Sequence, residues 1–386
     1  MKQDAPVEVF QTRRLPELRL NRRALEHNVR LMAAWCQEHD IELAPHIKTT
    51  MTHPIVKRQL AAGAWGVTVA TTTQAETALK WGARRLIIAN QVIHSHDLAL
   101  LCQWLDEIPE LNLYCFVDSL AGIDLAQSTM RHTRNPLRVL VDIGTAGGRT
   151  GVREAPAAAD LAQAVRKSPG LVLAGVAGYE GVTPNLRDSA TLTAVDEHCD
   201  MTSAVFRSLG SLFETRRPIF SMGGSAFPDR VVQVMQKMRG ACADLSILPI
   251  VRSGCYVTHD HGTYEHVSPL PGLQAALTVR AVVLSTPEPG SAVINAGKRE
   301  LPYDAGLPVL IATRTSRGEL RTDARATAAR IYDHHLVLTN VHNLHVGDEV
   351  DLGISHPCSA FDRWPDVTVV DGQGQPCDVW HPQFTR

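Results

Sequence analysis

Residues 43–70, LAPHIKTTMTHPIVKRQLAAGAWGVTVA, contain one full round of the pattern that decides the fold. A short apolar run, Leu43 to Ile47, precedes a longer stretch and a second β-branched run, Gly66 to Ala70, as in a parallel βαβ unit. Reading outward, the alternation recurs with candidate strands at Leu86 to Asn90, Leu113 to Val117, Arg138 to Ile143, Val172 to Gly178, Pro218 to Met222 and Ser246 to Val251. Eight rounds over about 210 residues match the size of a (β/α)8 barrel. Asn21 to His39, with apolar residues at Leu25, Val29, Met32, Ala33 and Cys36, reads as a helix, and Asp229 to Met238 repeats the pattern. Past Pro269 the texture changes to short strands with turn signals: Ala275 to Ser285, Ser291 to Asn295, Pro308 to Thr313, Leu336 to Leu338, Glu349 to Leu352 and Val367 to Val370. The expected organisation is an α/β barrel over 21–265 and an all-β domain made of 1–20, with Leu15 to Leu20 extended, and 266–386.

The 386 residues are 44% apolar and 20% charged, with a net charge of −2, so nothing in the charge balance favours nucleic acid or an anionic membrane as partner. No apolar run approaches the roughly 20 residues of a membrane span, and Met1 to Leu20 is charged and broken by Pro6 and Pro16. A cytoplasmic protein acting on small molecules is expected. Eight cysteines (36, 102, 115, 199, 242, 255, 358 and 377) lack CxxC spacing, which favours buried reduced thiols over a disulfide framework.

Barrels of this type carry their chemistry at the C-terminal ends of the strands and hold phosphate on the loops after strands seven and eight. After strand seven comes Ser221-Met222-Gly223-Gly224-Ser225-Ala226, and after strand eight Arg252-Ser253-Gly254-Cys255-Tyr256. Glycine lets backbone N–H groups approach an anion, and Gly224, Ser225, Gly254 and Tyr256 are the expected phosphate contacts. Lys48 ends strand one opposite these loops, where desolvation favours a neutral, imine-forming amine. A phosphate-anchored cofactor facing such a lysine suggests a Schiff base.

Pro45-His46-Ile47-Lys48-Thr49, with His53-Pro54 and Gln59-Leu60-Ala61-Ala62-Gly63-Ala64, closely resembles the cofactor-lysine segment of the D-threonine aldolase and D-serine dehydratase family. The likeness continues through Gln74-Ala75-Glu76, Val141 to Val152, both glycine loops and His356-Pro357-Cys358, from about residue 15 to 380. It implies an alanine-racemase-like barrel binding pyridoxal 5′-phosphate (PLP), followed by a β domain, in a homodimer with active sites near the subunit contact. Carried over by position, Lys48 would hold the cofactor and handle the α-proton. Arg149 would contact the pyridine ring or its phenolate oxygen, and Tyr179 would lie at the cofactor. Gly223, Gly224, Ser225, Gly254, Cys255 and Tyr256 would complete the cofactor site. Glu180 departs from a histidine common in the aldolases.

His356 and Cys358 match a metal-binding pair that is His-x-Cys in zinc-dependent dehydratases and commonly His-x-Asp in the aldolases. A thiolate favours zinc, whereas carboxylate suits manganese or magnesium, so the divalent ion expected here is zinc. Metal and cofactor would then be held by different domains. The resemblance implies a lyase acting on a small D-configured β-hydroxy amino acid. Elimination of hydroxide to a 2-oxo acid and ammonia is favoured by Cys358, and retro-aldol cleavage to glycine and an aldehyde is the alternative. A racemase would need a second base, with Tyr256 or Tyr264 available, and a non-catalytic PLP carrier would lack the β domain. His335 resembles a family element near the metal, Thr258-His259-Asp260-His261 follows the second loop, and His266, His342 and His345 read as structural.

Overall fold

The structure, a computed structural model, describes residues 14–181, 183–241 and 246–384. Eight parallel strands form the first body: β2 (Glu42–Leu43), β3 (Val67–Val69), β4 (Arg85–Gln91), β5 (Asn112–Val117), β6 (Leu137–Ile143), β7 (Leu171–Gly178), β8 (Ile219–Met222) and β9 (Leu248–Val251). Helices α1 (Arg22–Glu38), α2 (His53–Ala61), α3 (Thr72–Lys80), α4 (Ser95–Glu107), α5 (Leu120–Met130), α6 (Ala155–Arg166), α7 (Ser189–Ser208) and α8 (Pro228–Ala241) alternate with them. The sheet runs β2-β9-β8-β7-β6-β5-β4-β3 and curls until its edges meet. There the Trp65 N–H donates to the Leu43 carbonyl at 2.8 Å and the Thr68 N–H to Pro45 at 2.9 Å. Interior-facing Ile87, Phe116, Leu140, Ala174, Ile219 and Ile250 fill the space enclosed, so it is a packed core with one open mouth.

The first strand is shorter than the sequence suggested. Regular pairing ends at Leu43 rather than Ile47, because Pro45 offers no N–H to the ladder and Ile47–Thr49 already turn as a 3₁₀ helix. This early turn swings Lys48 to the mouth.

The second body is mostly β and takes its central strand from the chain's beginning. β1 (Glu17–Asn21) pairs antiparallel with β10 (Leu277–Ser285) and parallel with β16 (Val367–Val370). The remaining strands are β11 (Ala292–Ile294), β12 (Val309–Arg314), β13 (Arg325–Ile331), β14 (Leu336–His342), β15 (Glu349–Gly353) and β17 (Pro376–Trp380). A short helix, α9 (Thr263–Val267), leads into it across the expected boundary at 265/266. Asp351 on β15 gathers Arg280 at 2.7 Å and Arg314 at 3.0 Å, fastening adjacent strands. Of the expected N-terminal segment, residues 1–13 lie outside the described residues, as does Cys242. The described cysteines are unpaired by disulfides, with Cys36, Cys115, Cys199 and Cys255 buried and Cys377 exposed. Among the described residues no helix is long and apolar enough to cross a membrane.

Candidate active site

The C-terminal ends of the parallel strands open on a cavity of about 460 Å³. Lys48 lines it from the turn after β2, beside His46. The His46 Nδ1 atom is buried and makes no hydrogen bond among the described residues. Burial, with the positive charges of Lys48 and Arg252 nearby, holds this imidazole neutral, well below its ordinary pKa.

The two glycine turns, expected opposite Lys48, form the adjoining wall instead, because β9 pairs directly with β2 and β8 follows it, and the turns are bonded to each other. The Arg252 N–H donates to the Gly223 carbonyl at 2.9 Å, and the Ser253 hydroxyl to the Gly224 carbonyl at 2.6 Å. Gly223 has φ +93°, a conformation that disfavours side chains, while a Cβ at Gly254 would fall 2.3 Å from the His46 carbonyl oxygen. Gly223, Gly224, Ser225, Gly254 and Cys255 all line the cavity. Glu180, wholly buried, lays its carboxylate on this wall: Oε2 accepts from the Gly223 N–H at 3.1 Å and Oε1 from the Gly224 N–H at 2.5 Å. The N–H groups of this turn are therefore already engaged by the chain's own side chain. Behind it Arg252 is buried, donating to the Ser221 hydroxyl at 2.5 Å and the Gly178 carbonyl at 2.7 Å, with its guanidinium over Phe116.

Arg149 comes from the loop after β6 and stacks its guanidinium 4.8 Å from the centre of the Tyr179 ring. Both line the cavity. Burial and the neighbouring Glu180 push the Tyr179 phenol up to about 12, so it stays a hydrogen-bond donor at neutral pH. Asp142, at the end of β6, accepts from Gln91 at 3.0 Å and Thr150 at 2.9 Å, and burial raises its carboxyl.

The soft donors collect at one corner. Cys255 Sγ lies 3.3 Å from Cys358 Sγ, and the Thr49 hydroxyl 3.6 Å from each sulfur. With His356, one ligand atom of each residue lies within 4.8 Å of the others. Hydrogen bonding from Cys255 and from the His356 imidazole draws the Cys358 thiol well below its usual pKa. Burial opposes a charge on His356, but Cys358, Asp260 and Asp304 together raise its pKa. Cys255 is pushed up by sharing a proton with Cys358 and by burial. Asp260 steadies the segment, accepting from the Gly262 and Tyr264 N–H groups at 3.0 and 2.8 Å, with Oδ2 3.9 Å from His356 Nδ1.

Three residues singled out in the sequence have side chains placed elsewhere. The Tyr256 side chain points away from the cavity and accepts from the Gln59 amide at 3.0 Å, because the 3₁₀ turn Cys255–Val257 rotates successive side chains by about 120°. His335 is exposed between β13 and β14, away from the cavity lining. His259 is buried beside Glu265 at 3.3 Å rather than lining the cavity. Sequence reasoning missed Arg252, Asp142 and the orientation of the Cys255 thiol. A charged residue closing an apolar strand, as in Ile250-Val251-Arg252 and Val141-Asp142, was the available signal for the first two.

The family profile "Alanine racemase, N-terminal domain" matches residues 20–227, and "Putative serine dehydratase domain" matches 276–370. D-threonine aldolase of Arthrobacter sp. is 27% identical over 295 residues, covering 76% of this chain and 74% of that protein. D-threo-3-hydroxyaspartate dehydratase of Delftia sp. (strain HT23) is 26% identical over 289 residues, covering 73% and 71%. The crystal structure of D-threonine aldolase from Filomicrobium marinum aligns at a TM-score of 0.78 with 27% identity, covering 96% of this chain and 95% of that one.

Proposed function

The chain belongs to the alanine racemase N-terminal domain family, and from that premise we propose that it is a PLP-dependent, metal-assisted lyase. In this reading it dehydrates and deaminates D-configured β-hydroxy amino acids of the D-serine or D-threonine type to a 2-oxo acid and ammonia. The observation that carries the reading is convergence: Lys48, both glycine turns and the Cys255, His356 and Cys358 donors open on one cavity of about 460 Å³.

The residues fit the cofactor. The cavity lining combines Lys48, Arg149, Ser225 and a buried His46 Nδ1 that lacks a hydrogen-bond partner among the described residues, while the Gly223 and Gly224 N–H groups are held by Glu180, which a phosphate would have to displace. Lys48 would hold the cofactor, and the wall of Gly223, Gly224, Ser225, Gly254 and Cys255 would take the phosphate. Bound PLP supplies an electron sink for the α-carbanion of an amino acid. Arg149 and Tyr179, stacked on each other, would hold the ring. The Lys48 amine would take the α-proton, while neutral His46 adds no competing positive charge.

Cys358 and His356 suit a zinc ion better than manganese or magnesium. An ion held there by His356 and Cys358 would supply a Lewis acid for loss of the β-hydroxyl as hydroxide. Retro-aldol cleavage is the second reading, supported by the likeness to the Arthrobacter D-threonine aldolase. A homodimer belongs to the same proposal, supported by exposed Val309, Ile311 and Leu320 on and after β12.

The test is incubation with D-serine, D-threonine and D-3-hydroxyaspartate, with 2-oxo acid, ammonia and glycine assayed separately and Lys48 mapped by borohydride reduction. Equal yields of 2-oxo acid and ammonia, with label on Lys48, are expected. Glycine with an aldehyde would transfer the assignment to the aldolase, and label on another lysine would end the Lys48 assignment.

A further inference from the structure

We infer that Cys255 is a third protein ligand for the divalent metal, so that the ion is held by two thiolates and one imidazole with a single position left open. The donors come from both bodies of the chain. Cys255 opens the turn after β9, whereas His356 and Cys358 follow β15. Backbone bonds fix the two segments against each other: the His261 N–H donates to the Ile354 carbonyl and the Thr263 N–H to the Ser355 carbonyl, each at 3.0 Å. Docking is tight enough that a Cβ at Gly262 would fall 2.7 Å from the Ser355 oxygen.

Zinc bonds of about 2.3 Å to sulfur and about 2.1 Å to nitrogen set the edges of a tetrahedron at roughly 3.5–3.8 Å. The separation of the two sulfurs, 3.3 Å, and the 4.8 Å limit on all three ligand atoms agree with one shared centre. Two protein donors alone would hold an ion loosely, while four would close it to substrate. Three with one open position is the arrangement of catalytic zinc, and a second thiolate biases the site further toward soft ions. Thr49 Oγ1, 3.6 Å from both sulfurs, places this centre beside the turn that carries Lys48. Cys255 also adjoins Gly254 in the cofactor wall, so cofactor and metal share a turn, against the expectation that separate domains hold them.

The inference shares His356 and Cys358 with the proposed function, but it is tested by metal binding without substrate, so absence of lyase activity would leave it standing. The full-length protein, stripped of metal and kept in a non-thiol reductant, is titrated with cobalt(II). The near-ultraviolet thiolate-to-cobalt absorption should have the intensity of two thiolates in the wild type and fall by about half in Cys255→Ser. Zinc affinity of Cys255→Ser, measured by competition with a chromophoric chelator, should drop on the order of a hundredfold or more, since even an outer partner of a ligand is worth about 10- to 100-fold. A one-thiolate spectrum in the wild type, or no cobalt binding, overturns the inference without recourse to any variant. Unchanged spectrum and zinc affinity in a folded Cys255→Ser protein overturn it equally.

Discussion

At the scale of single residues, the two glycine turns are separable. A valine at Gly254 must contend with the His46 backbone carbonyl at 2.3 Å, whereas at Gly224 the nearest atoms are the side chains of Tyr179 at 3.0 Å and Glu180 at 3.3 Å, which can move. Overpacking against backbone costs about 1–3 kcal/mol, equivalent to roughly 5- to 150-fold in affinity. Gly254→Val should therefore weaken PLP binding, read by absorbance titration, within that range and more than Gly224→Val does; the reverse order would place the phosphate off the second turn. His198 gives a prediction in pH. Its ring is 4% exposed, both nitrogens lack hydrogen bonds among the described residues, and burial lowers its pKa to about 4. Between about pH 6.5 and 4 the unfolded chain binds a proton that the folded one refuses, so stability falls as pH falls through that window. From pH 7 to 5 the wild type should lose about 2 kcal/mol more than His198→Gln in urea unfolding, at roughly 1.4 kcal/mol per pH unit below 6.5. Lys48 and the glycines were legible in the sequence because strand ends and Gly pairs are local signals. The meeting of Cys255 with Cys358 was not, since it depends on how two distant segments dock. Nor was the Glu180 carboxylate on the Gly223–Gly224 turn, which no spacing encodes.

At the scale of elements, α1 does more than cover the barrel. Asn21 caps it, accepting from the Ala24 N–H at 3.1 Å, and one helical face buries Leu25, Val29, Met32 and Cys36. Asn28 on that face is fully buried, donating to the Val257 carbonyl at 3.2 Å and the Gln274 carbonyl at 2.7 Å while accepting from the Gln274 N–H at 2.8 Å. It thereby pins the Cys255–Val257 turn from behind. Asn28→Ala leaves the buried Val257 carbonyl and the partly buried backbone of Gln274 without these partners and should cost about 1–3 kcal/mol of unfolding free energy in denaturant titration. A loss under about 0.5 kcal/mol, the level of an ordinary surface change, would mean that the turn is held by other contacts. Elements with a buried face were readable from sequence: the parallel strands emerged within a few residues of their observed limits, apart from the first, cut short at Pro45. β13 and β17 escaped because they lie at the ends of the strand order and are largely exposed, Arg325–Ile331 burying no side chain and Pro376–Trp380 only its last. Without a buried face there is no period-two alternation to read.

At the scale of the whole molecule, the β body is assembled from both ends of the chain. Glu17 pairs opposite Arg280, and Arg19 opposite Thr368, with Leu18 and Leu20 buried between. Synthesis from the N-terminus sets when this pairing can form. At about 5–20 residues per second, β1 leaves the ribosome roughly 20–70 s before β16 exists to cover it. Until β10 is made β1 has neither of its sheet partners, and from then until β16 follows it keeps one open apolar edge. Ribosome-bound chains stopped at residue 265 should be cut by trypsin after Arg19, which is 4% exposed in the finished fold, and full-length released chains should resist at that bond. Equal resistance in both would show that β1 finds shelter on the nascent barrel. The oldest strand in the polypeptide thus waits through most of synthesis to be closed on both sides, and that wait, which no contact in the mature enzyme records, is a period in which the newborn chain is open to chaperones and to aggregation.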